Sequence, residues 1–156
     1  MTYFDWVCEQ DDRLGRLAEV PETGELQLSA AGLLLRTADL NRTTATHVLV
    51  IVGAIGFGVL GPIGLAERMA QGTGIPDEVM GRLLMRVNRC ADIRAPNEAL
   101  LDRVDLQALR DGMIYLRDVY EIESEFQTVT GYEMEEFAAA LSWLQQMIDA
   151  ICVAPR

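Results

Sequence analysis

Lysine is absent from this chain of 156 residues, so its 13 basic side chains are all arginines. They are outnumbered by 24 acidic residues, and the formal net charge at neutral pH is −11. Such a charge repels phosphate, which excludes a nucleic-acid binder that works through its overall field. Half of the residues are apolar. This excludes a disordered chain and is sufficient for the core of about one domain.

Histidine and cysteine are also scarce. The single histidine, His47, lies far in sequence from Cys8, Cys90 and Cys152, and no two cysteines form a Cys-x-x-Cys pair. This spacing argues against a zinc site, and we expect no metal and no cofactor. Three reduced, mostly buried thiols are typical of a cytoplasmic protein. The first residues show neither a basic nor an apolar stretch, so we expect no secretory signal.

Apolar residues recur at helical spacing along most of the chain. The spacing predicts helices over residues 2–19, from about 30 into the fifties, over 62–69 and 76–90, from about 100 towards 126, and over 134–151. Residues 26–28 are predicted as a short extended piece, and otherwise only residues 47–55 carry a β signal. We therefore expect an all-α fold. It would be one domain over residues 1–156, a compact bundle of five to seven helices around an apolar, glycine-rich central helix.

The last predicted helix has the most regular pattern. Leu141, Leu144 and Ile148 belong to a narrow apolar stripe of the kind that packs along another helix. We expect these three side chains to be buried, either against the predicted helix around residues 109–120 or across a two-fold interface.

The segment from Thr43 to Ala66 has no charged residue and contains five glycines. We interpret it mainly as structural, because a helix that is apolar on every side is typical of the centre of a bundle. Its glycines would then let neighbouring helices approach closely. This interpretation also explains why each of the other predicted helices shows a single apolar face.

Two other interpretations of this segment stay open. Gly56-Phe57-Gly58-Val59-Leu60-Gly61 matches the G-x-G-x-x-G pattern of dinucleotide-binding loops. That fold needs further parallel strands, and none is predicted over residues 76–156. The 24 uncharged residues are also long enough to cross a bilayer, although the most apolar part, residues 48–60, is 13 residues long and has no aromatic belt beside it.

Asp118, Glu121 and Glu125 share one face of a predicted helix. Paired carboxylates can hold a metal or transfer protons, but the Glu-x-x-His pair of a di-metal site is absent from the sequence. The plainer interpretation is a solvated acidic face. The more specific interpretation is a docking face for a basic partner. Like charges at this spacing destabilise a helix, and a cationic partner would reduce their repulsion.

Arg82, Arg86 and Arg89 form a basic stripe on the predicted helix over residues 76–90, and Arg94 follows closely. We expect this stripe to pair with acidic helices of the same chain or of a second subunit. The alternative is the docking of a carboxylate-rich or phosphorylated partner. For His47 we expect a neutral side chain at the edge of the core rather than a catalytic base.

These features predict a non-enzymatic, acidic module that binds another protein, in particular one with a basic surface. An inhibitor, an immunity protein or a chaperone-like adaptor of bacterial or phage origin fits this size and charge. We also consider a homodimer, and expect neither direct nucleic-acid contact nor membrane insertion. The candidate partner-binding residues are Asp118, Glu121, Glu125, Arg82, Arg86 and Arg89. The alternative is a subunit of a larger, membrane-associated assembly in which residues 43–66 contact lipid or a neighbouring subunit, and an enzyme is the least favoured class.

Overall fold

The computed structural model describes residues 2–119 and 133–153, the last two of them by their backbone alone. The described helices and strands are α1 (Tyr3–Gly15), β1 (Gln27–Ser29), β2 (Gly32–Arg36), α2 (Arg42–Leu60), α3 (Leu65–Thr73), α4 (Asp77–Cys90), β3 (Glu98–Leu101), α5 (Arg103–Asp118) and α6 (Met134–Val153). The fold is compact and mostly helical. The all-α prediction is confirmed in that coarser form, and the small sheet departs from it.

α2 is the most buried helix of the fold. It begins with a capping box, in which the Asn41 side chain accepts from the Thr44 backbone N–H at 2.8 Å and the Asn41 N–H donates to the Thr44 hydroxyl at 3.0 Å. Every residue over 48–58 is buried. The helices α1, α3, α4, α5 and α6 all pack against α2, so its apolar surface is covered by the chain itself.

The length and composition of α2 also fit a membrane span. Among the described residues it is the one helix that does so, and 67% of its most apolar window is buried inside the fold. The buried core helix of a globular protein can have the same length and hydropathy as a membrane span.

The G-x-G-x-x-G motif lies within α2 and at its end, not in a loop between a strand and a helix. Residues 47–55, which carried a β signal in the sequence, are helical as well. A Cβ added at Gly56 would collide with the indole of Trp6, which is 1% exposed. A Cβ at Gly58 would lie 3.0 Å from the sulfur of Met69. These two glycines therefore let α1 and α3 approach α2.

Three short strands form an antiparallel sheet in the order β1-β2-β3. β1 and β2 are a hairpin in which Ser29 pairs with Gly32. β3 comes from much later in the chain and aligns Leu101 with Leu33. The extended piece predicted at residues 26–28 is confirmed, one residue further on, by β1.

The predictions of helix from about residue 30 and from about residue 100 were wrong for β2 and β3. In β2, Leu33 and Leu35 are buried and Leu34 between them is half-buried, which is the alternation of a strand. Gly32 has a backbone φ of 138°, which residues other than glycine rarely adopt. Leucine favours helices locally, so the pairing of β2 with β3 overrides the local preference.

The stripe on α6 is buried largely as predicted. Leu144 and Ile148 are 0% and 3% exposed, and α6 packs against both α5 and α2. Leu141, the third predicted member, is half-buried. It lines a groove beside α5.

The contact between Gly56 and Trp6 gives a first prediction. Replacing Gly56 with alanine should lower the free energy of unfolding by about 1–3 kcal/mol, because the indole must move out of a packed position. Gly81, also within a helix, is the matched control, since its added Cβ would meet Val59 at an ordinary 3.9 Å. Gly81→Ala should be neutral or stabilising by up to about 1 kcal/mol. Urea unfolding measures both, and equal effects of the two substitutions would contradict this packing.

Candidate functional site

The outer face of α5 carries the same charged pair twice. Arg110 Nε donates to Asp111 Oδ1 at 3.0 Å, and Arg117 Nε donates to Asp118 Oδ1 at 2.6 Å. The pairs are seven residues apart, so about two helical turns place one above the other. The side chain of Ile114 lies between two grooves, one of which contains the arginines and the other the aspartates. The arginines and the aspartates therefore line different grooves of α5, although each arginine is hydrogen-bonded to the aspartate that follows it.

The aspartates lie in a groove between the end of α3 and α5, which we call the acidic groove. Its volume is about 320 Å³. The residues that line it are Gly72, Thr73, Asp111, Ile114, Tyr115, Asp118 and Val119. The Asp111 and Asp118 side chains are 42% and 53% exposed, so a partner can reach both carboxylates.

The aromatic wall of the acidic groove depends on a glycine. A Cβ added at Gly72 would collide with the ring of Tyr115, so the absence of a side chain at residue 72 lets the ring lie against α3. The ring is half-buried and lies within the same groove as both carboxylates. The groove thus combines an aromatic surface with two negative charges.

Asp118 is held in its charged form. The hydrogen bonds from the Arg117 guanidinium lower the pKa of the Asp118 carboxyl, with a smaller contribution from the positive charge itself. The same contact raises the pKa of Arg117. The carboxylate is therefore ionised at neutral pH and accepts hydrogen bonds.

The arginines lie in a second groove, between α5 and α6, which we call the arginine groove. Its volume is about 410 Å³. Its lining is Ile114, Met134, Phe137, Ala138 and Leu141 among the apolar residues, and Arg110, Arg117, Ser142 and Gln145 among the polar ones. Arg110 Nη1 donates to Gln145 Oε1 at 3.2 Å, which ties the two helices together at one point of the groove.

The structure describes one of the three predicted acidic residues. Asp118 lines the acidic groove, whereas Glu121 and Glu125 lie outside the described residues. Sequence reasoning missed Asp111 and Tyr115. Asp111 was detectable as the carboxylate two turns before Asp118 on the same helix face. No sequence signal marked Tyr115, because its role depends on α3.

Only one residue of the predicted arginine stripe forms an ion pair within the described part of the chain. Arg86 Nη2 donates to the Leu100 carbonyl at 2.7 Å, and Arg86 Nη1 donates to Asp105 at 3.4 Å. This residue therefore pairs within the chain and joins α4 to β3 and α5. Arg82 and Arg89 are exposed, and no ion pair involves them within the described residues.

Arg94 also pairs within the chain, as expected for the residues of this group. Its Nη2 lies 2.8 Å from Asp12 of α1, and its Nε lies 3.6 Å from Asp92. The contact with Asp12 joins α1 to the loop after α4.

His47, Cys8 and Cys90 line neither groove. The imidazole of His47 stacks on the Trp143 indole with ring centroids 5.5 Å apart, and burial lowers its pKa. Cys8 is exposed and Cys90 is buried. Burial raises the pKa of the Cys90 thiol to about 11, so that thiol stays protonated. The side chain of Cys152 lies outside the described residues.

Within residues 2–119 and 133–153, no three metal-binding side chains form a cluster. Comparison with known proteins finds no family model, no curated protein and no solved structure that matches the chain.

The stacked histidine gives a pH-dependent prediction. Burial favours neutral His47 in the folded state, so at pH values below the ordinary 6.5 the unfolded chain binds a proton that the folded chain resists. The His47 contribution to the free energy of unfolding should therefore be fully present above about pH 6.5 and should decrease as the pH falls towards its lowered pKa.

Thermal unfolding of the wild type and of His47→Gln across about pH 5 to 8 measures this effect. The carboxylates are common to both proteins, so the difference in Tm between them isolates the histidine. The wild type should lose more stability on acidification than the variant. A Tm difference that is independent of pH would contradict the prediction.

Proposed function

We propose that this chain is a non-enzymatic, acidic protein-binding module of bacterial or phage origin. It acts in the cytoplasm as an inhibitor, an immunity protein or an adaptor for another protein. The observation that carries the proposal is the acidic groove, where Asp111, Asp118 and the Tyr115 ring line one exposed concave surface. Its partner is a protein that presents arginine or lysine side chains.

The chemistry of the acidic groove fits a guanidinium group best. A planar guanidinium can stack on an aromatic ring while its N–H groups donate to carboxylates. Both partners are available here, since the Tyr115 ring and the two carboxylates line the same groove. Two cationic side chains of the partner, about two helical turns apart if they lie on a helix, would reach Asp111 and Asp118 together.

The overall charge supports the same kind of partner. Most of the arginines in the described chain are paired with carboxylates of the same chain, so they neutralise part of the acidic charge and leave the protein acidic overall. The net charge of −11 then attracts a basic protein over about a Debye length, roughly 8 Å at physiological ionic strength. Such attraction mainly raises the rate of association.

The nucleophile and base candidates support a non-enzymatic role. The Cys90 thiol has a pKa of about 11 and is buried, so it is not a reactive thiolate. His47 is stacked on Trp143. Neither residue lines either groove.

The alternative, a membrane-associated subunit in which residues 43–66 contact lipid, has one observation in its favour, the length and hydropathy of α2. Against it, residues 48–58 are all buried by other helices of the chain. A lipid-facing helix would leave one side of this surface uncovered. We therefore favour the protein-binding module.

The test combines a partner with a pair of matched variants. The protein encoded beside this gene is the first partner to examine, because small inhibitors are commonly encoded beside their targets. Asp111→Asn with Asp118→Asn should slow association by about fivefold at low salt and weaken its salt dependence. Stopped-flow association rates across a salt series measure both. Stability should change by less than about 1 kcal/mol, because the side chains of both Arg–Asp pairs are at least partly exposed.

Glu25→Gln with Glu78→Gln is the control for this experiment. Both glutamates are exposed and lie outside the acidic groove, and the pair removes the same two charges. The control should associate nearly as fast as the wild type. If both double variants slow association equally, the effect comes from net charge alone. The acidic groove is then not the docking site.

A further inference from the structure

The outer face of α1 exposes a large aromatic side chain among acidic ones. Phe4 is 75% exposed, although α1 buries Trp6 against α2. The exposed acidic residues beside it are Asp5, Asp11 and Asp12. α1 is thus an acidic helix with one uncovered apolar residue near its start, and such a residue can anchor a helix in a groove of complementary character.

The arginine groove has the complementary character. Its lining is largely apolar, and its two cationic residues are Arg110 and Arg117. Their side chains are 24% and 45% exposed. The groove runs between two helices, the kind of surface that takes an amphipathic helix.

The spacing of the charges agrees as well. Asp5 and Asp12 are seven residues apart on α1, as Arg110 and Arg117 are on α5. Residues seven apart lie almost on the same side of a helix, about two turns from each other. A helix that lies along α5 can therefore bring both carboxylates to both guanidinium groups at once.

We propose that α1 of a second copy of this chain docks in the arginine groove, and that two copies exchange this contact across a two-fold axis. Phe4 of one copy packs against Ile114 and Leu141 of the other. Asp5 and Asp12 then face the two arginines. The exchange closes the assembly at two copies, because each copy offers one helix and one groove.

Contacts within each copy are compatible with this exchange. Arg110 and Arg117 pair with Asp111 and Asp118, and Asp12 pairs with Arg94 and Arg16. All of these side chains are at least partly exposed, so the pairs are weak and can be shared with or exchanged for contacts to the second copy. A guanidinium carries five N–H donors, so each arginine can accommodate a second carboxylate. Ala138 in the groove is small and exposed, which leaves room for the phenyl ring.

The oligomeric state tests the proposal. Sedimentation velocity of the wild type over a concentration series should show a monomer–dimer equilibrium. Phe4→Ala should raise the dimer dissociation constant by at least about tenfold, because a buried aromatic anchor is lost. Ile63→Ala is the control, since Ile63 is the most exposed large apolar residue of the described chain, at 102%, and lies on another part of the surface. It should dimerise like the wild type.

The groove side is tested with Arg110→Gln and Arg117→Gln together. These changes keep a polar, uncharged side chain at each partly exposed position, so the fold should be retained, and thermal unfolding checks this. The double variant should also lose the dimer. If it does not fold, Ala138→Gln fills the same groove from an exposed residue of α6 and provides the measurement instead.

Mixing the two kinds of variant gives the decisive result. Phe4→Ala keeps an intact groove and the arginine variant keeps an intact α1, so a mixture restores one of the two contacts. A fluorescently labelled Phe4→Ala chain should sediment as a heterodimer with the arginine variant at concentrations where each alone is a monomer. A monomeric wild type, dimers that withstand both variants, or a mixture without heterodimer would each overturn the proposal.

This interface is separate from the docking of a basic partner. Asp111→Asn with Asp118→Asn, which tests the acidic groove, should dimerise at least as tightly as the wild type, because Arg110 and Arg117 lose the carboxylates that compete for them within the same copy. Loss of the dimer in that variant would show that the copies associate through the acidic groove, and would overturn the exchange of α1. The two proposals can therefore fail independently.

Discussion

The apolar surface of α2 is the constraint on which the rest of the structure depends. Residues 48–58 are buried on every side of the helix, and exposing them to water would be unfavourable all round. α1, α3, α4, α5 and α6 each contribute one apolar face to cover it. The close approach of α1 depends on Gly56, since a larger residue would displace the Trp6 indole.

The small sheet ties together segments that are far apart in sequence. β3 pairs with β2 and places Leu101 beside Leu33 in the core. Polar contacts hold the surrounding loops: the Thr37 hydroxyl donates to the Cys90 carbonyl at 2.8 Å, and Arg86 donates to the Leu100 carbonyl at 2.7 Å. The Thr37 bond gives a buried carbonyl group a partner, and the Arg86 bond joins α4 to an exposed carbonyl of β3.

α5 helps to bury α2, and the distribution of charge on its outer face also makes it a candidate binding site. Neighbouring Arg–Asp pairs are ordinary surface ion pairs and contribute little stability. Here α3 and α6 flank the helix, so the arginines and the aspartates lie in different grooves. Each groove also has apolar lining, which gives a partner area to bury as well as charge to recognise.

The sequence alone was enough to predict the mostly helical content and the burial of Leu144 and Ile148 on α6, because these depend on the local periodicity of apolar residues. It also pointed to Asp118, because that carboxylate is on the surface of a helix. The sequence prediction began two helices at about residues 30 and 100, whereas α2 and α5 begin after the capping residues Asn41 and Asp102, which the local sequence also encodes.

Only the tertiary structure decided the rest. The leucines at 33–35 favour a helix locally, and they form a strand because β3 pairs with them from far along the chain. Gly56 matched a phosphate-binding pattern, and its role became clear only when Trp6 was found against it. The two grooves of α5 are formed with residues of α3 and α6, so no window of sequence around Asp111 and Asp118 contains them. Pairing and packing of this kind join residues that are distant in sequence, and local periodicity carries no information about such contacts.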